Sequence, residues 1–211
     1  MDIVLLGPPG VGKGTQGELL AQRLRVPRIA TGDVLRTARR EGTPLGRKAQ
    51  AAMDRGDLVP DDVILGIMKE TLAADGARRG SILDGVVRTV PQAEGLERVL
   101  DELGRRVDAV VLFEAPEEEL VRRLSARTTC DRCQTPYTGR EPGTSCDKCG
   151  GTLVRRADDE PESVRNRLRV YREQTAPVVE WYHANGNPVV PVDAVGGVDE
   201  VTARVLRALE S

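Results

Sequence analysis

The segment GPPGVGKGT at residues 7–15, directly behind the apolar run IVLL at 3–6, constrains this chain more than any other feature. It reads as a strand, a phosphate-cradling turn and the start of a helix. Glycines at 7, 10 and 12 open backbone angles that residues with side chains avoid, so successive N–H groups can face phosphate oxygens. Lys13 adds a point charge, and a helix predicted over 13–24 aims the positive end of its dipole at the same anion. Gly10, Val11, Gly12, Lys13, Gly14 and Thr15 are therefore candidate phosphate ligands. The usual pattern puts Ser or Thr directly after the lysine, whereas here Gly14 intervenes and the hydroxyl arrives at Thr15.

At 211 residues the chain can build one sizeable core plus an inserted module. Apolar runs bounded by turn residues recur at 3–6, 27–30, 81–83, 109–113 and 188–192. Helical periodicity separates them, at 61–74, 90–103, 117–128, 161–184 and 198–209. This alternation predicts an α/β fold with a doubly wound parallel sheet of about five strands and helices on both faces. Ligands in such a fold bind at the strands' C-terminal ends, where Gly7, Thr31, Asp84 and Glu114 fall. Two stretches break the rhythm. Residues 31–59 are helical without a strand pattern, and 128–158 are turn-rich, polar and contain every cysteine. A net charge of −2 despite 31 Lys and Arg argues against a general nucleic-acid coat. No run reaches the roughly 18 apolar residues of a membrane span, and no signal-peptide pattern opens the chain, so the expected location is the cytoplasm.

Cys130-Asp-Arg-Cys133 and Cys146-Asp-Lys-Cys149 form two CxxC knuckles twelve residues apart. Four thiolates at this spacing can close a tetrahedral zinc site. Disulfides or a redox pair are the competing readings, but a reducing compartment disfavours the first, and neither knuckle opens the helix of a thioredoxin-like unit. A four-cysteine site leaves no open coordination position, so the metal is expected to staple a loop too poor in apolar residues to order itself.

The start GPPGVGKGTQ, TGDVLR at 31–36, DGVVRT at 84–89 with Gln92, RRADD at 155–159 and VRNR at 164–167 together resemble the adenylate kinase family, in the family's order and over nearly the whole chain. The cysteine pairs look like the zinc-bearing lid of its bacterial members, with a shorter interval between knuckles. The resemblance implies a P-loop nucleoside monophosphate kinase with a core at 1–29, 60–126 and 159–211, an AMP-binding module at 30–59 and a zinc-binding lid at 127–158. It implies transfer of the terminal phosphoryl of ATP, bound with Mg²⁺, to AMP, giving two ADP, by a monomer that binds neither nucleic acid nor membrane. By the same resemblance, the catalytic set comprises Lys13, Asp84, Arg88, Arg123, Arg127, Arg156 and Arg167. ATP would meet residues 10–15, Arg123, Arg127, Pro136, Tyr137 and Gly196. AMP would meet Thr31, Arg36, Asp57, Leu58, Val59, Gly85, Val86, Val87, Arg88, Gln92, Arg156 and Arg167, with Gln92 reading the adenine edge. Asp33 and Asp84 resemble the carboxylates that orient Mg²⁺ through waters, and Cys130, Cys133, Cys146 and Cys149 would hold Zn²⁺.

The chemistry needs no general base, because the attacking AMP phosphate has a second pKa of about 6 and is already largely dianionic at neutral pH. The lone histidine, His183, is accordingly expected on a helix surface. Arg39, Arg40, Arg78, Arg79, Arg105 and Arg106 are expected only to solvate the surface. The family's pattern is Asp-Gly-Phe-Pro-Arg with a cis Phe-Pro bond, whereas this chain has Val86-Val87. A non-proline cis bond costs about 3 kcal/mol, so this peptide is expected to be trans, with weakened AMP binding. A UMP/CMP or GTP-using relative is the alternative within the class, since a P-loop reads phosphates and not bases. A nucleic-acid-binding knuckle protein would need a basic, aromatic loop, but residues 134–145 hold one Arg, one Glu and one Tyr.

Overall fold

A computed structural model describes residues 1–210, with the side chains of Leu45 and Lys48 outside the description. Five parallel strands form the main sheet: β1 (Asp2–Leu6), β2 (Arg28–Ala30), β3 (Ser81–Asp84), β4 (Val107–Glu114) and, near the C-terminus, Val189–Asp193. Their order across the sheet is β2, β3, β1, β4 and then Val189–Asp193. The expected doubly wound sheet is therefore present. Its period-2 side-chain alternation feeds two cores. Val4, Leu6, Leu83 and Val110 face one side, where they pack with Leu96, Leu100 and Val178. Ile3, Leu5, Ile82 and Val111 face the other, with Leu20, Leu120, Val201 and Val205. At about 1.5–3 kcal/mol per buried aliphatic side chain, β1 is held firmly from both faces.

The helices are α1 (Lys13–Leu24), α2 (Thr31–Arg40), α3 (Pro44–Arg55), α4 (Asp61–Ala73), α5 (Val90–Glu102) and α6 (Glu117–Ser125), followed by α7 (Pro161–Val170), α8 (Ala176–Ala184) and α9 (Val198–Glu210). Residues 31–59 hold the predicted strandless helical insert, α2 and α3. These cross closely because position 46 is glycine: a Cβ there would lie 2.3 Å from the Ala38 carbonyl.

Two boundaries differ from expectation. Helix α6 stops at Ser125, and β5 (Arg127–Cys130) follows at once, flanked by β6 (Pro136–Thr138) and β7 (Leu153–Val154) in a small antiparallel sheet. The β-branched Thr128 and Thr129 favour that strand over another helical turn. The expected helix over 161–184 is interrupted by a π-helical turn at Tyr171–Thr175. Pro177, in the first turn of α8, has no N–H to give a preceding carbonyl, and the wider turn absorbs that loss. The final strand of the parallel sheet, Val189–Asp193, is β8.

No cis peptide occurs among the described residues, so Val86–Val87 is trans as expected. His183 is exposed at the end of α8. Arg105 corrects the surface assignment: its guanidinium is largely buried against Asp2, with Nε donating to Asp2 Oδ2 at 2.9 Å, while Ser81 Oγ donates to Asp2 Oδ1 at 2.6 Å. An ion pair so placed must be complete, because either partner alone would be a buried unpaired charge.

Candidate active site

Strand β1 delivers the chain to Gly7 at the C-terminal edge of the sheet, and the loop to α1 wraps back over it. Gly7 has φ 138°, and a Cβ there would sit 2.6 Å from the Phe113 carbonyl, so only glycine passes. Gly12, at φ 106°, caps α1 in the left-handed region. Lys13 Nζ curls back to donate to the carbonyls of Gly7 at 2.6 Å and Pro8 at 2.9 Å. Its pKa is lowered to about 7 by burial, which outweighs the attraction of Asp84 and is aided by repulsion from Arg88, Arg167 and Arg127. An ammonium so destabilised gains most from an anion alongside it.

The loop opens into a cavity of about 650 Å³. Among the described residues, ten Lys and Arg side chains line it against four carboxylates, so its natural occupant is a polyanion. Residues 10–15, Arg36, Leu58, Asp84, Gly85, Val87, Arg88, Arg123, Arg127, Pro136, Arg156, Arg167 and Gly196 share this wall. The sequence assignments are thus brought together from segments far apart along the chain. Several other assigned residues are close by but off the wall. Thr31 is buried and donates to the Gly85 carbonyl at 2.8 Å. Gln92 is buried, accepting from Arg88 N at 2.7 Å and donating one N–H to Asp61 at 2.7 Å. Asp57 accepts from Arg55 and Asn166, and Val59 and Val86 are core. Tyr137 turns away from the cavity toward Cys146 Sγ, 3.2 Å from its hydroxyl.

Carboxylates hold the arginines in place. Arg156 Nε and Nη2 both donate to Asp158 at 3.0 Å, Arg167 reaches Asp159 at 2.9 Å, and Arg127 forks onto Asp159. Burial alone would raise the Asp158 carboxyl, but Arg156, Arg167 and Arg127 outweigh it and hold the group far below the usual carboxylate range. Burial pushes Arg36 and Arg167 down to about 10, a sign of cations packed more densely than their counter-charges relieve. Arg88 is also lowered by burial, and its Nε donates to the Gly85 carbonyl at 3.1 Å. The carbonyl of Arg88 in turn accepts from Thr175 in the π-turn at 2.9 Å.

Arg28 was not evident from sequence. Lying inside an apolar-looking run, it donates to Asp84 Oδ2 through Nε at 3.1 Å and Nη2 at 2.6 Å, and to Asp33 at 3.0 Å. A Cβ at position 14 would lie 3.3 Å from its Nη2, so the glycine after Lys13 leaves room for this guanidinium. Asp84 Oδ1 has no protein hydrogen bond among the described residues and remains available on the cavity wall.

Beside this cavity the four cysteine Sγ atoms lie within 4.8 Å of one another, with Cys130 to Cys149 at 3.4 Å and Cys133 to Cys146 at 3.6 Å. Tetrahedral zinc–thiolate bonds of about 2.3 Å imply sulfur separations of about 3.8 Å, so the cluster fits one such ion. The Tyr137 hydroxyl hydrogen bond lowers the Cys146 thiol to about 6.

The family described as adenylate kinase matches residues 5–187 of this sequence. The chain belongs to the adenylate kinase family. It is 67% identical over 211 residues to the adenylate kinase of Gemmatimonas aurantiaca, covering 99% of both chains. It is also 48% identical over 213 residues to that of Acidothermus cellulolyticus, covering 99% of this chain and 98% of the other, and 46% identical to that of Geobacter sp. strain M21 over the full length of both. Like the family's resemblance in motif, these similarities extend across the inserted helices and the cysteine-bearing sheet. Among the described residues no helix is long and apolar enough to cross a membrane.

Proposed function

We propose that this chain catalyses the reversible transfer of the terminal phosphoryl of MgATP to AMP, yielding two ADP. The observation that carries this reading is one cavity whose wall joins a P-loop to a cluster of arginines drawn from α2, the loop after β3, α6, β5, the end of the lid and α7. Membership of the adenylate kinase family supports it. Residues 10–15 and Lys13 hold the β- and γ-phosphates, while Arg36 and Arg88 hold the AMP phosphate. An AMP oxygen then attacks the γ-phosphorus in line as the bond to the β-bridging oxygen breaks. Arg123, Arg127, Arg156 and Arg167 neutralise the charge spread over the transferred group, and no side chain needs to remove a proton. Magnesium brought in with the nucleotide would supply positive charge against the phosphates. Asp84, with Oδ1 free, and Asp33 are the residues here that suit its water shell.

Residues 30–59 act as the AMP-binding module and 127–158 as a lid whose four cysteines hold structural Zn²⁺. The lid rests in contact with the rest of the chain: Lys148 Nζ donates to Glu18 of α1 at 3.1 Å, and Arg36 Nε to Gln134 Oε1 at 3.1 Å. Such closure excludes water, which would otherwise accept the phosphoryl group. Adenine selectivity for the acceptor rests on Leu58 of the segment 57–59, which lines the cavity, and on Gln92, whose amide keeps one N–H beyond its bond to Asp61. The protein acts as a cytoplasmic monomer.

A coupled assay with ATP or GTP as donor and AMP, UMP, CMP or GMP as acceptor tests this. Turnover with ATP and AMP far above the other pairs is expected. Preference for UMP or CMP would move the chain to a related kinase, and no turnover with ATP and AMP would defeat the reading.

A further inference from the structure

The inserted helix α2 and the first cysteine knuckle meet through contacts that neither phosphate binding nor metal binding requires. Arg36 Nε donates to Gln134 Oε1 at 3.1 Å, and one turn later Arg40 Nη1 donates to the carbonyls of Asp131 at 2.6 Å and Arg132 at 3.2 Å. Arg40 therefore does more than the surface solvation expected of it. Gln134 directly follows the knuckle and is pinned to it, its amide nitrogen donating to the carbonyls of Cys130 at 3.3 Å and Asp131 at 3.2 Å. Its φ is 60°, a left-handed conformation that residues with a Cβ seldom adopt. A glycine would suit that backbone better but could not reach Arg36. The same arginine is held on its other side by Asp33, which leaves Nη1 as the guanidinium nitrogen with no protein hydrogen bond among the described residues.

We propose that Gln134 is a positioning residue, seconded by Arg40, that couples lid closure to the orientation of the arginine clamping the AMP phosphate. This rests on the reading of α2 and α3 as the AMP module and of 127–158 as the lid. With the lid closed, Asp33 and Gln134 fix Arg36 in two directions and present Nη1 to the phosphate. With the lid open, only Asp33 remains and the guanidinium can pivot. A nucleotide that closes the lid thereby strengthens the AMP site, and AMP held by Arg36 favours the closed lid by the same factor.

The test is calorimetric measurement of the AMP dissociation constant without and with a saturating non-hydrolysable ATP analogue; the ratio of the two is the coupling factor. In Gln134→Gly and in Arg40→Ala the factor is expected to fall about threefold each, and about fivefold or more in the double variant, from the loss of one net hydrogen bond per side chain. AMP affinity without the analogue and bound metal per chain should stay at wild-type values. The reciprocal ratio, analogue affinity without and with AMP, should fall equally. A double variant with the wild-type coupling factor, or a wild-type factor of one, would overturn the proposal while wild-type turnover of ATP and AMP leaves the assigned function standing. Should Gln134→Gly lose its metal, Arg40→Ala, a change on an exposed helix position outside the lid, decides by the same ratio.

Discussion

The phosphate-binding floor hangs from β1, where Val4 and Leu6 are buried on one side and Ile3 and Leu5 on the other, whereas the lid's three short strands bury only Leu153 among described aliphatic side chains, beside Cys130 and Cys146. One half of the site is ordered by the hydrophobic effect before any ligand arrives. The other depends on four sulfur atoms and on polar contacts at its rim, Lys148 to Glu18 and Arg36 to Gln134. Burial on two faces makes a rigid platform, and the proposed metal staple would make the small sheet a unit that stays intact while its docking contacts, each worth little alone, form and break. An enzyme that must expel water during transfer and still release products needs one half of each kind.

Breaking the floor chemically without unfolding it should give the largest effect. Lys13→Met removes the charge that α1 and the loop aim at the phosphates, and kcat is expected to fall by about 10²–10³ with the melting temperature unchanged or raised, because an unfavourably buried ammonium goes with it. Steady-state kinetics beside a thermal melt would check both parts. Arg105→Ala should do the reverse. By leaving Asp2 buried and unpaired it is expected to cost about 3 kcal/mol of stability in denaturant unfolding, while kcat at a temperature where the variant is folded stays near the wild-type value.

A smaller, one-sided effect is expected at the AMP end. Installing the family's sequence through Val86→Phe with Val87→Pro should lower the KM for AMP a few-fold, about 1 kcal/mol or less in binding, and leave the KM for ATP alone, as initial rates with each substrate varied would reveal. An equal change in both constants would mean that this turn also shapes the ATP side.

The smallest effect concerns protons. Lys13 has its pKa lowered to about 7 from 10.5, so between these values the nucleotide-free folded chain binds fewer protons there than the unfolded chain. Stability from this group therefore rises with pH from about 7 to about 10.5, and the full penalty of the buried ammonium is present below 7. Nucleotide phosphates reverse the shift. ATP binding near pH 8 is expected to take up a fraction of a proton, seen as a dependence of the calorimetric enthalpy on buffer ionisation, and this dependence should vanish in Lys13→Met.

The same contrast governs what could be read in advance. The floor was legible because a strand, three glycines and a lysine at fixed spacing admit few geometries, and the clustering of the four cysteines because CxxC pairs carry their own geometry. Arg28 was not, since its meaning comes from Asp84 on a neighbouring strand, 56 residues away, and within its own run it looks like a surface charge at a strand start. Arg105 and Arg40 were hidden for the same reason: their partners, Asp2 and the carbonyls of 131 and 132, are distant in sequence. The protein partners of Gln92, Asp61 and Arg88 N, were hidden as well, since that pairing depends on how α4 and α5 pack. The break at Tyr171–Thr175 did leave a local trace in Pro177, and Thr128 with Thr129 marked the strand that ends α6. Local rules thus revealed the elements and the motif-bearing sites, while the long-range polar pairs that hold them in register required the folded chain.

Hydrogen exchange followed by mass spectrometry, on the protein as purified and after its metal is stripped by a chelator, tests the contrast most directly. Metal removal is expected to abolish protection at residues 127–154 while peptides spanning β1, β3 and β4 keep theirs. Loss of protection in the sheet together with the lid, or unchanged protection in both, would contradict an account in which burial orders the floor and the four cysteines order the lid.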